Sequence, residues 1–388
     1  MTSVEPPQDL PAGTRLQMRL TTGISSRTAR PGDPVGAVVR VDVPVGERVI
    51  PAGSVVRGVV VDVAAFEWRR PQAVLRLDFR ELSVAGPVGG LKAAVPLRSK
   101  IVAVDNARES VDADGRILGI APPERPASAE DSILGAALTP ELYVLESAEY
   151  RIREAERPDI IFAAGVDLEI ETLLPTANVP MAAPVIPPPV EGALAPFVAT
   201  LPTRAAAGSP QRPADVINLL LIGSETAVAG AFRDAGWTTA VALSLRADIR
   251  TVIAVAGNAG YQLGPVSQQW LDGRPPAMVF QKQNDTFAKR HHVRIWAWPE
   301  PLQGRPVWIA AATHDVGVKF VRAERTFTHA IDARIDLERQ LIVDDLRFAG
   351  AVAALSSIER PALPRRLQNA TLDVMETDGR IAAVALRR

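Results

Sequence analysis

The chain has 388 residues, a formal net charge of −1, 22% charged, 47% hydrophobic and 5% aromatic residues, and no cysteine. That length points to two or three domains. Near-neutral charge and few aromatics remove any general pull toward nucleic acid, a base-stacking surface or an anionic membrane, and the missing cysteine excludes disulfides, zinc–thiolate sites, iron–sulfur clusters and a thiol nucleophile.

Residues 1–175 read as an all-β barrel. Met1 to Pro7 has neither a basic nor an apolar signal-peptide region. The expected location is therefore the cytoplasm, or the cell envelope and periplasm where a leader has been removed. No stretch approaches about 18 uninterrupted apolar residues, so no transmembrane helix is expected. Leu16–Leu20, Val55–Val63 and Val74–Phe79 alternate apolar and polar residues, the pattern of half-buried strands. Leu10–Thr14, Ile50–Ser54 and Phe162–Val166 share a Pro/Ala-Ala-Gly core and read as tight turns feeding strands. Asn106–Ala136 reads as a long hairpin or loop, with a short helix at Ser132–Ala137.

Residues 176–212 read as a semi-rigid proline-rich linker, or as an extended strap across the surface. Beyond it, 213–350 reads as an α+β domain: a largely antiparallel sheet with helices on one face. Val216–Ile222 is a buried-strand run. Ser224 caps a helix at Glu225–Ala235, which Gly236 closes. A second helix is expected at Ala247–Ala256. Strands follow at Ala277–Lys282, His291–Trp298, Val307–Thr313 and Arg325–Ile331, then a helix at Asp336–Leu346. In 351–388, Asp378-Gly379 between two strand-like runs predicts a β-hairpin. Its echo of Asp114-Gly115 favours a return to complete the N-terminal barrel.

All four histidines lie between His291 and His329, in three runs: Arg290-His291-His292-Val293-Arg294, Thr313-His314-Asp315 and Thr328-His329 with Asp332. Histidine is the side chain best suited to proton transfer and metal ligation near neutral pH. On a strand, Arg290, His292 and Arg294 share one face and His291, Val293 and Ile295 the other. Three readings stay open. In one, His314, His329 and His291 or His292 hold a divalent metal, with Asp315 or Asp332 as a further ligand. In another, Arg290, Arg294 and Lys282 hold a phosphate or carboxylate without metal, while His292 or His314, with Asp315, moves protons. In the third, the histidines are hydrogen-bonded structural groups. Glu338-Arg339 places a carboxylate near the cluster or forms a surface ion pair. Gly-x-Ser-x-Gly elbow, P-loop, His-Glu-x-x-His and dinucleotide fingerprints are absent, so no motif names a reaction.

Val216–Gly223 with Ala231–Trp237, then Val279–Lys282, Arg290–Trp296, Gly304–Ile309, Ala312–Gly317, Thr328-His329 with Ile331-Asp332, and Glu338-Arg339 occur in an order that resembles the LssY C-terminal domain family over about 213–350. The resemblance assigns no reaction. Members are often fused to membrane proteins of the type 2 phosphatidic acid phosphatase or DedA kind, which implies a lipid or phosphate context. The first 175 residues more loosely resemble the β-barrel of TrbI-like conjugation proteins, through Leu10–Thr14 and Val49–Ser54; such domains are usually exported. The expected function is an envelope-associated binding or scaffold protein that recognises an anionic small molecule or lipid headgroup through its second domain, with a protein partner for the barrel. The alternative is a phosphoester hydrolase, with or without a metal.

Overall fold

The computed structural model describes residues 8–67, 72–86, 90–105, 109–120, 159–208, 211–239, 269–282, 289–321 and 326–387, leaving aside the side chains of 317–329. The helices expected at Ser132–Ala137 and Ala247–Ala256 lie outside the described residues. Two compact units are present, one built on Met1–Pro184 and the other on Val185–Asp248 with Tyr261–Arg388.

The first unit is a nearly closed antiparallel β-barrel. Its strands run in the order Ser99–Val104, Asp167–Thr172, Arg15–Leu20, Pro34–Val39, Val55–Ala64, Val74–Ser83, Ile117–Leu118 and Ser110–Val111. Strict alternation sends Leu16, Met18 and Leu20 inward from Arg15–Leu20, where each is at most 1% exposed. Gly13, Gly53 and Gly165 end the three repeated turns with φ of +80°, +87° and +101°, the left-handed region that glycine enters without strain. Ser99 Oγ donates to the Phe79 carbonyl at 3.1 Å and Leu97 N to the Arg80 carbonyl at 2.7 Å, drawing the two ends of the sheet together.

The stretch read as a linker is largely structured. Thr176–Val179 pairs with Gln8–Leu10 in the first unit. In the second, Leu194–Thr200 forms helix α1 and Arg204–Ala207 pairs with Arg212–Val216. Proline density misleads here because Pro196 sits in the first turn of α1, where its missing N–H has no intrahelical partner to lose. Residues 183–193 carry neither helix nor strand. They run as a strap along the edge strand Val352–Glu359: Leu355 N donates to the Pro188 carbonyl and Val190 N to Ser356 Oγ, both at 2.9 Å. An edge covered in this way cannot template pairing with another chain.

The second unit is an eight-stranded sheet, ordered Trp237–Thr239, Met278–Lys282, Arg290–Leu302, Arg305–Val321, Leu219–Ile222, Arg380–Leu386 and Val352–Glu359, with Thr326–Ile331 paired to the far part of Arg305–Val321. All pairings are antiparallel except Leu219–Ile222 with Arg380–Leu386. Both faces of the sheet are covered, so Leu219–Ile222 is apolar at every position. Leu219 and Leu221 join one core with Val228 and Phe232 of helix α2 (Glu225–Asp234) and Ile342 and Leu346 of helix α3 (Ile335–Phe348). Leu220 and Ile222 join another with Leu194 and Val198 of α1. Ser224 caps α2 as its sequence position implies, accepting from Ala227 N at 3.2 Å.

The C-terminal expectation requires correction. Arg380–Leu386 does not return to the barrel; it lies inside this sheet, between Leu219–Ile222 and Val352–Glu359. Nor is Asp378-Gly379 the tip of a hairpin, because the preceding strand, Val374–Glu376, pairs with Arg366–Gln368. The physical reason is the run Ile381–Leu386, apolar at every position and buried throughout, which requires a place covered on both faces. Arg360 ties the edge of this region down. It is 5% exposed and donates to the carbonyls of Ile217, Leu201 and Pro202 at 2.8–3.0 Å. Arg360→Met is expected to cost about 2 kcal/mol in urea unfolding by orphaning those carbonyls; a loss under ~0.5 kcal/mol would show that water replaces the guanidinium.

Candidate functional site

The site begins with one pair of antiparallel strands, Arg290–Leu302 and Arg305–Val321. Their register sets Arg290 opposite Asp315, His291 opposite His314 and His292 opposite Thr313. Strand alternation then sorts these groups onto two faces.

On the first face, Arg290, His292 and Arg294 are 2%, 3% and 2% exposed. Arg290 donates to Asp315 Oδ2 at 3.1 Å. His292 Nε2 lies 2.9 Å from Thr313 Oγ1 and its Nδ1 3.8 Å from Asp315. Arg294 donates to Asp215 Oδ2 at 3.1 Å, and Gln269 donates to the same oxygen at 2.5 Å. Burial lowers the Arg294 pKa while Asp215 and Asp315 pull it back. Burial also pushes the Asp315 carboxyl up to about 6, against the pull of Arg290 and Arg294. The expected anion stripe is therefore present as an alternating row, but its guanidiniums already hold carboxylates of this chain in the interior.

On the second face, His291 is 4% exposed and its Nδ1 lies 2.7 Å from Glu338 Oε2, itself on the buried face of α3 at 3% exposure. The His291 and His314 rings stack with centroids 4.2 Å apart and planes 16° apart. His314 is half-buried, which leaves the cluster a route to solvent. One donor atom from each of His291, His314 and Glu338 lies within 4.8 Å of the others. Two histidines and a carboxylate suit zinc, manganese or iron. A tetrahedral zinc with bonds of about 2.0–2.1 Å sets its donors about 3.4 Å apart. The 2.7 Å contact between His291 and Glu338 would have to open for a metal to take both as ligands. Among the described residues this is the one group of three His, Asp or Glu donors so arranged.

The other expected site residues fall elsewhere. Lys282 is on the helix-facing side with Phe280, pairs with the fully buried Asp345 at 3.4 Å, and does not join Arg290 and Arg294. Trp237 Nε1 donates to the same Asp345 oxygen at 3.0 Å. His329 belongs to the strand Thr326–Ile331, opposite Val318; its side chain lies outside the described residues. Asp332 follows that strand. Its backbone N donates to the His314 carbonyl at 2.8 Å, and its carboxylate accepts from Arg334 N at 2.8 Å. Two functional groups were missed or undervalued. Glu338, four residues past a poor cap at Arg334, reads equally well as a surface acid. Asp215 stands just past the stretch read as linker, at the head of the second domain, and only the apolar run that follows hints at its burial.

Among solved structures, ComB10 of the Com type IV secretion system of Helicobacter pylori matches with a TM-score of 0.23 and 15% identity, over 43% of this chain and 88% of that one. No curated protein matches the chain. The family model described as LssY C-terminus matches residues 198–381, a span that contains every residue of both faces just described. Over 198–381, a span that holds α2, α3 and the histidine cluster, the chain is similar to the LssY C-terminus family.

Proposed function

We propose that the second unit is a divalent-metal-binding domain, with His291, His314 and Glu338 as ligands, and that an anionic phosphate- or carboxylate-bearing molecule is taken up by that metal. The observation that carries this reading is the convergence of three donors from two adjacent strands and α3 to within 4.8 Å. The burial of Arg290 and Arg294 against Asp315 and Asp215 argues against direct anion capture by the arginines. An anion still has a place, because three protein ligands leave a tetrahedral metal one open position.

That open position also supports a hydrolytic reading. A metal with a free site polarises a bound ester and lowers the pKa of bound water toward 7. Phosphoester hydrolysis is the reaction class this would serve. The absence of cysteine and the phosphate context of the family resemblance are what support an envelope setting.

Protein purified without chelator or histidine tag is expected to hold about one equivalent of zinc, manganese or iron, and His314→Ala to lose it. His314 is half-buried, so its removal should leave the fold intact. At a metal concentration 100 times its Kd, wild type gains about 2.7 kcal/mol of stability, and H314A gains none. No bound metal, together with no thermal shift on adding zinc or manganese, would overturn the reading. Metal-dependent cleavage of p-nitrophenyl phosphate, lost in H314A, would place the domain among hydrolases; metal without turnover would leave it a binding domain.

A further inference from the structure

The barrel carries a second candidate site, unrelated to the histidines. A cleft of about 640 Å³ opens where the two ends of its sheet approach each other. That volume falls within the range of ligand sites, roughly 300–1,000 Å³. Arg76, Arg98, Lys100 and Arg116 line it, with Val61 and Leu173 as its exposed apolar wall. The turn bearing Arg116 is pressed against Lys100 and Ile101. A Cβ on Gly115, whose φ is +77°, would meet Lys100 Cβ at 3.0 Å and Ile101 N at 3.1 Å.

Most of the acids around the cleft are already committed. Asp78 accepts from Arg80 at 2.8 Å. Asp112 and Asp114 hold Arg116 at 2.7 and 3.6 Å. Glu171, opposite Lys100 in register, lies 3.5 Å from Arg15. Asp62, opposite Arg76, makes no ion pair with it. Arg76, Arg98 and Lys100 make no ion pair among the described residues; the Lys100 ammonium has only a 3.4 Å contact to the Ala113 carbonyl. Arg76, Arg98 and Lys100 thus face one opening with no ion-pair partner among the described residues, while Asp62 stands opposite Arg76 and draws on Arg116.

We propose that this cleft docks an acidic peptide segment of a partner protein, with carboxylates on Arg76, Arg98 and Lys100 and an apolar side chain between Val61 and Leu173. Guanidiniums present a planar fork that matches a carboxylate, and here they are exposed enough to adjust to one. A small inorganic anion would satisfy the charges but leave the apolar wall wet; Val61 and Leu173 are 37% and 49% exposed. A peptide alternating acidic and apolar side chains satisfies both.

The test uses the full chain and a short fluorescently labelled peptide of glutamate and leucine, read by anisotropy at low and physiological salt. Wild type is expected to bind, more weakly as salt rises, and R76E/R98E to bind about tenfold or more weakly. R30E, an equal charge reversal at an exposed arginine outside the cleft, should bind as wild type does. R76Q/R98Q, with melting temperature measured alongside, separates loss of the site from loss of the fold. Equal binding by wild type and R76E/R98E, no binding by wild type, an R30E defect as large as that of R76E/R98E, or capture of phosphatidylglycerol vesicles in place of the peptide would each overturn the proposal.

Discussion

Asp215→Ala is expected to destabilise the second unit by about 3–5 kcal/mol, the usual cost of leaving one partner of a buried ion pair alone. Arg294 is 2% exposed and its guanidinium donates to Asp215; the substitution takes that carboxylate away from a buried charge and from Gln269, which donates to the same oxygen. Asp315 lies on the same face, but it is already engaged by Arg290. The control is the pair replacement Asp215→Leu with Arg294→Met. Replacing both partners of a buried pair by apolar groups is often neutral, so the double variant should recover most of the loss. Urea unfolding of the three proteins decides. A D215A loss below about 1 kcal/mol would mean that water reaches Arg294, and the first face would again become a candidate for capturing an outside anion.

Gly58→Ala is expected to cost the barrel about 3 kcal/mol, at the upper end of what overpacking usually costs. Gly58 sits at a bulge, where the pairing of Val55–Ala64 with Val74–Ser83 slips between Arg57 and Gly58. A Cβ there would lie 2.2 Å from the Asp78 carbonyl oxygen and 2.7 Å from Phe79 Cα. Both are backbone atoms, so no side-chain rotation relieves the clash, and the strands must part or the bulge must move. For a unit of this size the loss corresponds to roughly 6–12 °C in melting temperature. Thermal melting of G58A checks it, and a shift under ~2 °C would show that the bulge slides freely.

The two variants probe features of different visibility in the sequence. Period-two alternation made the barrel strands and the His291 strand legible, and Ser224 with Gly236 marked α2. The even/odd split of Arg290–Ile295 was readable from periodicity alone, and both faces have the composition that it implies. What each face meets was not readable. Asp215 and Asp315 come from strand positions 79 and 25 residues distant from their arginines. Glu338 comes from a helix whose polar residues are in part turned inward: Glu338, Arg339, Asp344 and Asp345 are all buried. A helix that buries charge against a charged sheet defeats the assumption that charged residues face water. Proline density obscured α1, and the Asp378-Gly379 pair, a strong local signal, lost to the demand of Ile381–Leu386 for two covered faces.

The position of that last strand bears on the order in which the second unit can form. Arg380–Leu386 is held between Leu219–Ile222, 163 residues earlier in register, and Val352–Glu359. On a ribosome adding 5–20 residues per second, Leu219–Ile222 emerges roughly ten to thirty seconds before its parallel neighbour exists. Its other edge can pair earlier, with Arg305–Val321, so the sheet begins as an incomplete layer with an apolar strand bare on one side. Pairing across such long sequence separations is slow because loop closure must precede any gain. The barrel, most of whose ladder joins strands near in sequence, can assemble first. During synthesis, then, the nascent chain carries a finished barrel and an open, sticky sheet. That interval is when the protein is most exposed to chaperone capture or to pairing with another copy of itself.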